Sequence, residues 1–402
     1  SPEFARILIS LNASLPDQPL TLSDTAMSTL PTTEQMVAGI SAWMLCESPT
    51  SSPAGVTAIA ELTADYARQQ GLTATMIPLG DHVGPALFAT NRAAGDTRPG
   101  LLILAHMDTV HPLGTLKDNP VRIEGDRLYG PGGYDMKAGT YIALSAMAGL
   151  GEPGATALPI DFLMVPDEET GSHASRPQIE KFAANAKYCF VCEPARAETG
   201  MCVTARKGTG MLCLGGKGMP AHAGVAHQKG RSAIKEMAHQ VLALEAITDY
   251  DRGITVSVVT STGGTVTNTV PERCRCVAYF RVPDMAAADY LLRRMRELLA
   301  VGPDTELDID VELNRPPMVK TAASTALLDK VRGFAKTAGF ELNDAPMTGG
   351  GSDANFTSAM GVPTLDGLGA DGDGAHTLNE YILISTLAQR TKFWHLLMKE
   401  LS

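Results

Sequence analysis

The sequence predicts an α/β fold in which a mixed sheet carries helices on both faces and a smaller α+β unit is inserted. Three observations lead there. Residues 101–105 are an unbroken apolar run that fits a strand buried on both faces, 158–165 and 188–192 read as further buried strands, and each ends abruptly in polar residues. Between 208 and 314 the apolar fraction holds but several strands alternate with two helices, as in a separate compact unit. After 315 the earlier pattern returns. A chain of 402 residues is also too long for one ordinary core. The expected division is therefore a discontinuous catalytic domain over 27–207 and 315–402, with 208–314 inserted.

In chain order, Met36, Val37, Ile40, Trp43 and Met44 recur at helix spacing before Pro49 breaks the run, and a second helix over 56–70 stops at Gly71. Strands at 72–78 and 85–90 lead to the 101–105 run, a hairpin at 121–129 follows, and 138–150 reads as a small-residue helix. Within the insert, 210–215, 255–260 and 273–282 read as strands, and 232–246 and 285–301 as helices. A helix over 324–339, a strand at 362–365 and a closing helix over 384–400 complete the chain.

Composition excludes several function classes. Apolar content of 44% with 19% charge describes a well-packed protein, and no apolar run is long enough to span a bilayer. A net charge of −11 and a pI near 5.3 argue against a nucleic-acid partner. Seven scattered cysteines, an odd number, form no disulfide framework and point to a reducing, cytoplasmic setting. Ser1, Pro2, Glu3 and Phe4 read as a cloning scar and Met27 as the natural start. Residues 1–26 are thus expected to be tag or leader, without the basic and apolar regions of a secretion signal.

The chemistry begins where the first buried run ends, at His106 and Asp108. Ligands collect beyond the carboxyl ends of strands in open α/β sheets, so an imidazole there can bind a metal and be oriented by the carboxylate two residues on. A lone His-x-Asp is weak, and its weight comes from the series of acids and histidines downstream. Asp135 lies after a glycine-rich turn, where capping of the next helix is the competing reading. Glu168 and Glu169 come just after the second run, where adjacent acids could also be plain surface. Glu193 comes just after the third. Cys189 and Cys192, three apart on a strand, point to opposite faces and read as two buried thiols. The insert offers His222, which alone could be a turn histidine, with Asn268 and Arg281. Near the end come Gly350, Gly351 and Ser352, without the Gly-Lys-Ser/Thr of a phosphate loop, and then His376.

Two histidines and three carboxylates, His106, Asp135, Glu169, Glu193 and His376, suit two divalent ions such as zinc, manganese or cobalt sharing one carboxylate. A shared carboxylate would hold the ions about 3.5–4 Å apart, close enough to act on one water and one carbonyl. Glu168 would then be free to move the proton.

In order and wording these motifs resemble the co-catalytic zinc metallopeptidases that include glutamate carboxypeptidase, aminoacylase, acetylornithine deacetylase and succinyl-diaminopimelate desuccinylase, from about Thr32 to the C-terminus. The wording is nearest to glutamate carboxypeptidase. The resemblance implies a phosphorylase/hydrolase-like catalytic domain and a ferredoxin-like insert serving as lid and dimerisation domain. It implies two metal ions per chain, zinc foremost, with His106 and Glu193 as terminal ligands of one and Glu169 and His376 of the other, and Asp135 as the bridge. By the same likeness Glu168 would be the general base and Asp108 would orient His106. A cis bond would join Asp135 to Met136. His222 would reach the partner subunit's site in a homodimer or larger assembly to stabilise the oxyanion, and Arg281, Asn268 and the turn at Gly350, Gly351 and Ser352 would hold a substrate carboxylate. Tyr134, His173 and the longer spacing from Lys217 to His222 depart from the family's usual form, so substrate identity transfers least well.

Three functions compete. The first is amide hydrolysis of a small molecule carrying a carboxylate, by a carboxypeptidase or N-acyl amino acid amidohydrolase. The second is an aminohydrolase using the same metals on, for example, an aromatic amine. The third is a metal-free binding protein.

Overall fold

A computed structural model of the chain describes residues 29–402. The tag or leader expected over 1–26, with Met27 as the start, lies outside the described residues.

Two helices come first, α1 (Thr33–Met44) and α2 (Pro53–Gln69). Thr32 and Gln35 close a reciprocal capping box on α1; Ser52 caps α2, and Pro53 sits at its first position, where a missing N–H is harmless. Strands β1 (Thr73–Ile77), β2 (Ala86–Thr90) and β3 (Gly100–His106) follow, then a hairpin of β4 (Arg122–Glu124) and β5 (Arg127–Tyr129). Helix α3 (Ala138–Ser145), β6 (Ile160–Val165), α4 (Arg176–Ala183) and β7 (Ala186–Val191) complete the first part. The insert runs β8 (Gly208–Lys217), α5 (Ala233–Glu245), β9 (Thr255–Gly263), β10 (Arg273–Val282), α6 (Met285–Arg296) and β11 (Glu306–Arg315). The chain closes with α7 (Ala322–Ala338), α8 (Ala354–Ala359), β12 (Thr364–Leu365), β13 (Gly372–Asp373), β14 (Tyr381–Leu383) and α9 (Leu387–Glu400).

The main sheet has six strands in the order β1-β2-β6-β3-β7-β12, antiparallel through β6 and parallel from there to β12. Its central strands β3 and β6 are buried on both faces, and the two-residue period separates the faces cleanly. Leu101, Ile103 and Ala105 join one apolar cluster with Phe162, Phe190 and the helices α1, α3, α7 and α9. Leu102 and Leu104 join the other with Leu163, Val191, Ile179 of α4 and Phe356 of α8. Cys189 and Cys192 fall in different clusters, as opposite faces require, and both are free thiols.

The second sheet, β11-β8-β10-β9, is wholly antiparallel, and its β-α-β-β-α-β order is ferredoxin-like. Its core, with Leu212, Leu214, Met237, Phe280, Leu291 and Met295, is separate from those of the main sheet. Helices α5 and α6 cover one face, while the other leaves Met211, Arg275 and Tyr279 exposed.

Some boundaries differ from the sequence reading for identifiable reasons. The helix expected over 285–301 stops at Arg296, because the buried Glu236 carboxylate captures the amides of Val301 and Gly302 and Gln240 binds the Leu299 carbonyl, drawing that segment against α5. The helix expected over 138–150 ends at Ser145, and the chain then turns through Gly149 at φ 73°. Helix α4 and strand β11 go beyond the sequence reading. In β11 the acids Glu306, Asp308, Asp310 and Glu312 alternate with Leu307, Ile309, Val311 and Leu313, which pack on the insert core.

Candidate metal centre

Three neighbouring parallel strands, β6, β3 and β7, end at the same edge of the main sheet and deliver most of the site. His106 is the last residue of β3, Glu168 and Glu169 form a short turn just beyond β6, and Glu193 lies two residues past β7. This is the carboxyl edge where open α/β sheets place their ligands. Asp135 comes from a wide turn, Gly133–Lys137, that feeds α3. Gly132, at φ 66°, and Gly133 permit that turn, since a Cβ on them would meet Thr109 Cγ2 at 2.4 Å and Met44 Cε at 1.9 Å. The Asp135–Met136 peptide is cis. His376 projects from the loop between β13 and β14 at φ 66°, and its side chain is 54% exposed.

The five side chains converge. Asp135 faces both histidines, with Oδ1 3.1 Å from His106 Nε2 and Oδ2 3.2 Å from His376 Nε2. Glu193 Oε1 lies 3.8 Å from His106 Nε2, and Glu169 Oε2 lies 3.2 Å from His376 Nε2. Ligand atoms of His106, Asp135 and Glu169 fall within 4.8 Å of one another, as do those of His106, Glu168 and Glu193.

So many acids in one buried place perturb each other. Burial pushes Glu193 well above the usual carboxylate range, reinforced by the charges of Asp135 and Glu168. Burial likewise raises Glu169, and it lifts Glu168 to about 8 against the pull of Arg315 and His106. For Asp135 burial acts upward too, but its two histidine partners outweigh it and hold the carboxyl far below normal. Burial alone would lower His106; the carboxylates of Asp108, Asp135 and Glu193 instead hold it well above the ordinary imidazole value, and Asp135 and Glu169 raise His376 to about 11. Such an excess of buried negative charge is the environment that a divalent cation relieves.

The donor set fits metal. Among the described residues Glu169 Oε1 is buried without a hydrogen-bond partner, a costly arrangement for a carboxylate that has no cation beside it. Imidazole and carboxylate donors without thiolate suit zinc, manganese or cobalt.

Other residues singled out in the sequence fall in varied places. The His106 ring is held through Nδ1 by the backbone carbonyl of Asp108 at 2.9 Å, whereas the carboxylate expected to orient it stands at 3.5 Å. That carboxylate is committed elsewhere: it accepts the amides of Glu168 and Glu169 and the Thr50 hydroxyl, so it shapes the turn carrying both glutamates. Ser352 is fully buried and donates its hydroxyl to Asp366, so that group is turned away from a ligand, while the Gly350 carbonyl accepts from Arg206. Gly351 approaches Arg315 so closely that a Cβ would meet its Cδ at 2.9 Å. Arg281 donates to the Gly349 carbonyl in the same turn. His222 and Asn268 are neighbours on exposed loops of the insert. His222 Nδ1 accepts the amides of Gly224 and Val225, and the Asn268 carbonyl accepts from Ala223. Tyr134 is buried, and its hydroxyl donates to the Ala195 carbonyl, tying the Asp135 turn to the loop after Glu193. His173 is exposed beside Gly171.

Sequence reasoning missed Arg315 and Glu380. Arg315 ends β11, where the chain leaves the insert, and enters the site: Nη2 binds Glu168 Oε1 at 2.8 Å and Nη1 binds Asp353 Oδ1 at 2.7 Å. The acid-apolar alternation leading up to it is the signal that could have found it. Glu380 lies four residues after His376 and is fully buried.

Comparison with known proteins agrees with this architecture. At 29% identity over 354 residues the chain is similar to a carboxypeptidase G2 of a Pseudomonas species, covering 86% of this chain and 84% of that one. A succinyl-diaminopimelate desuccinylase of Paracoccus denitrificans is 24% identical over 379 residues, covering 85% and 97%. Among solved structures a Staphylococcus aureus tripeptidase superposes with a TM-score of 0.73 at 21% identity, covering 92% of this chain and all (100%) of that one. An aminopeptidase PepT of Bacillus cereus gives 0.69 at 24%, covering 92% and 99%; at such identities these two speak for the fold alone. The profile of peptidase family M20/M25/M40 matches residues 102–400, which takes in every converging side chain. The chain belongs to peptidase family M20/M25/M40 and is a metal-dependent hydrolase acting on amide bonds.

Proposed function

We propose that the chain hydrolyses the amide bond of a small substrate bearing a carboxylate, as a carboxypeptidase or N-acyl amino acid amidohydrolase with two metal ions. The observation that carries this reading is Asp135, whose two oxygens each face a different histidine while Glu168 stands beside the cluster. His106 and Glu193 would hold one ion and Glu169 and His376 the other, with Asp135 between them. Zinc is the first candidate, with manganese and cobalt as alternatives. The ions would supply Lewis acidity, lowering the pKa of a bound water and polarising the scissile carbonyl.

The chain's own residues do the rest. The Glu168 carboxylate takes a proton from the attacking water and passes it to the departing nitrogen. Arg315 and the backbone clamp from Asp108 fix its position. Arg281 carries the guanidinium for a substrate carboxylate, with Asn268 beside it from the insert and the backbone at Gly350 and Gly351. His222 is the oxyanion donor, contributed to the partner subunit's site in a homodimer; its exposed loop, bonded within itself, supports a role outside its own subunit. On this reading residues 208–314 are the lid and dimerisation domain. The enzyme works in the cytoplasm, and among the described residues no helix is long and apolar enough to cross a membrane.

The experiment is a panel of N-acyl amino acids, dipeptides, folates and aromatic amines, assayed with zinc, manganese and cobalt. An amine and a carboxylic acid released together support the proposal. Ammonia without a carboxylic acid would replace it with the aminohydrolase reading, which Tyr134 does not favour because its hydroxyl is committed to Ala195.

A further inference from the structure

Four N–H groups converge on one buried carboxylate just behind Asp135. Glu380 Oε1 accepts the amides of Tyr134 at 2.8 Å and Asp135 at 2.9 Å. Glu380 Oε2 accepts the amide of Gly132 at 3.0 Å and, from the other side, His111 Nε2 at 2.6 Å. The side chain is fully shielded from solvent, and His111 is nearly so. A carboxylate taken out of water is tolerated only when its lone pairs are satisfied, and here four donors satisfy them.

The position of this residue matters as much as its burial. Glu380 sits on the loop that presents His376, and its own carbonyl accepts the Gly130 amide, while Tyr381 pairs with Tyr129 in the adjoining ladder. One side chain therefore fastens the loop of one histidine to the turn of the aspartate that faces both. Only Cα and Cβ separate the captured Asp135 amide from its carboxyl group, so fixing that amide fixes the backbone point from which the carboxylate reaches both histidines. His111 lies five residues beyond His106, and its bond to Glu380 brings the chain after β3 into the same unit.

We propose that Glu380, backed by His111, is a positioning residue that sets the Asp135 carboxylate between the two metal positions. This rests on the reading of Asp135 as a metal bridge. Partners behind metal ligands typically alter affinity or activity by about 10–100-fold when removed, without touching the ion.

The test uses Glu380→Ala, Glu380→Gln and His111→Leu in the full chain, each checked for folding by circular dichroism and thermal melting. Zinc affinity is measured by competition with a chelator, and the cobalt-loaded protein is compared by its visible absorption spectrum. Glu380→Ala should weaken zinc binding by about 10–100-fold, change the cobalt spectrum and, at saturating metal, lower kcat more than it raises KM. Glu380→Gln should do less, because its oxygen can stay on Tyr134 and Asp135 while its NH2 turns to Gly132 and His111, of which only the imidazole can become an acceptor. His111→Leu should do least. A folded Glu380→Ala protein with parental zinc affinity and cobalt spectrum overturns the proposal. If that variant fails to fold, a folded Glu380→Gln protein indistinguishable from the parent overturns it equally. A parent chain that binds no zinc overturns the metal-bridge reading itself, and this inference with it.

Discussion

The two sheets of this chain treat polar side chains in opposite ways. At the end of the main sheet three of the acids have a second layer behind them: Asp108 clamps Glu168 and Glu169, Arg315 clamps Glu168, and Glu380 clamps the Asp135 turn. In the insert the candidate residues His222 and Asn268 stand on exposed loops and bond only within their neighbourhood. A site that must hold charge away from water needs rigid support, whereas a group that meets its target across a gap needs reach. The contrast teaches that changes in the main-sheet site should act on chemistry or metal, and changes in the insert on assembly or substrate.

The largest effect expected from that contrast is at Glu168. Glu168→Ala should lower kcat by about 10²–10⁴-fold while metal content, measured by elemental analysis, stays at the parental level. Near-normal turnover would remove Glu168 from the mechanism. Next comes His222→Ala, which should cost about 10²–10³-fold in kcat, the scale of a lost oxyanion donor, again with metal retained. Mixing it with the Glu168→Ala protein should restore activity in hybrid dimers, because one of the two sites then has both groups intact. No recovery would confine each site to one subunit.

Stability should track the separate cores. Phe162 and Phe280 are both buried, one in the main core and one in the insert core, and truncating either to alanine should cost about 3–5 kcal/mol. Only Phe162→Ala should also weaken metal binding, since Phe162 sits within β6, whose end carries Glu168 and Glu169. Equal metal loss in both variants would mean that the two units are not independent.

The smallest effect concerns acid. Burial tends to raise Glu236, yet the amides of Val301 and Gly302, the Gln240 amide and the Thr305 hydroxyl outweigh it and hold its carboxyl below the ordinary value of 4.5. A depressed pKa stabilises the fold above that ordinary value, and the contribution fades as pH falls through the lower folded value. Urea unfolding of the parent should therefore lose more stability than Glu236→Gln between neutral and acid pH, and an identical pH dependence would count against it.

Much of this was legible in the sequence because two short-range rules did the locating. Buried strands read as apolar runs, so the residues just past 105, 165 and 191 stood out, and His106, Glu168, Glu169 and Glu193 were picked out by recurring in that same position. Asp135 and His376 were found on glycine-rich turns. The supports were hidden because their partners are remote: Glu380 is paired with residues nearly 250 positions away and Arg315 with one 147 away. The role of Asp108 was half legible. Its nearness to His106 is set by spacing, but the use of its carboxylate depends on where the Glu168 turn folds back. The bond from the Ser352 hydroxyl to Asp366 was hidden for the same reason, since Asp366 reaches it only in the folded chain. The bond from the Tyr134 hydroxyl to the Ala195 carbonyl was hidden in the same way.

Elemental analysis of the chain after reconstitution with zinc, run beside Asp135→Ala, tests the central claim most directly. The account predicts two ions per parent chain and a clear loss of bound metal in the variant. Fewer than one ion per parent chain, or a variant that holds as much metal as the parent, would contradict it.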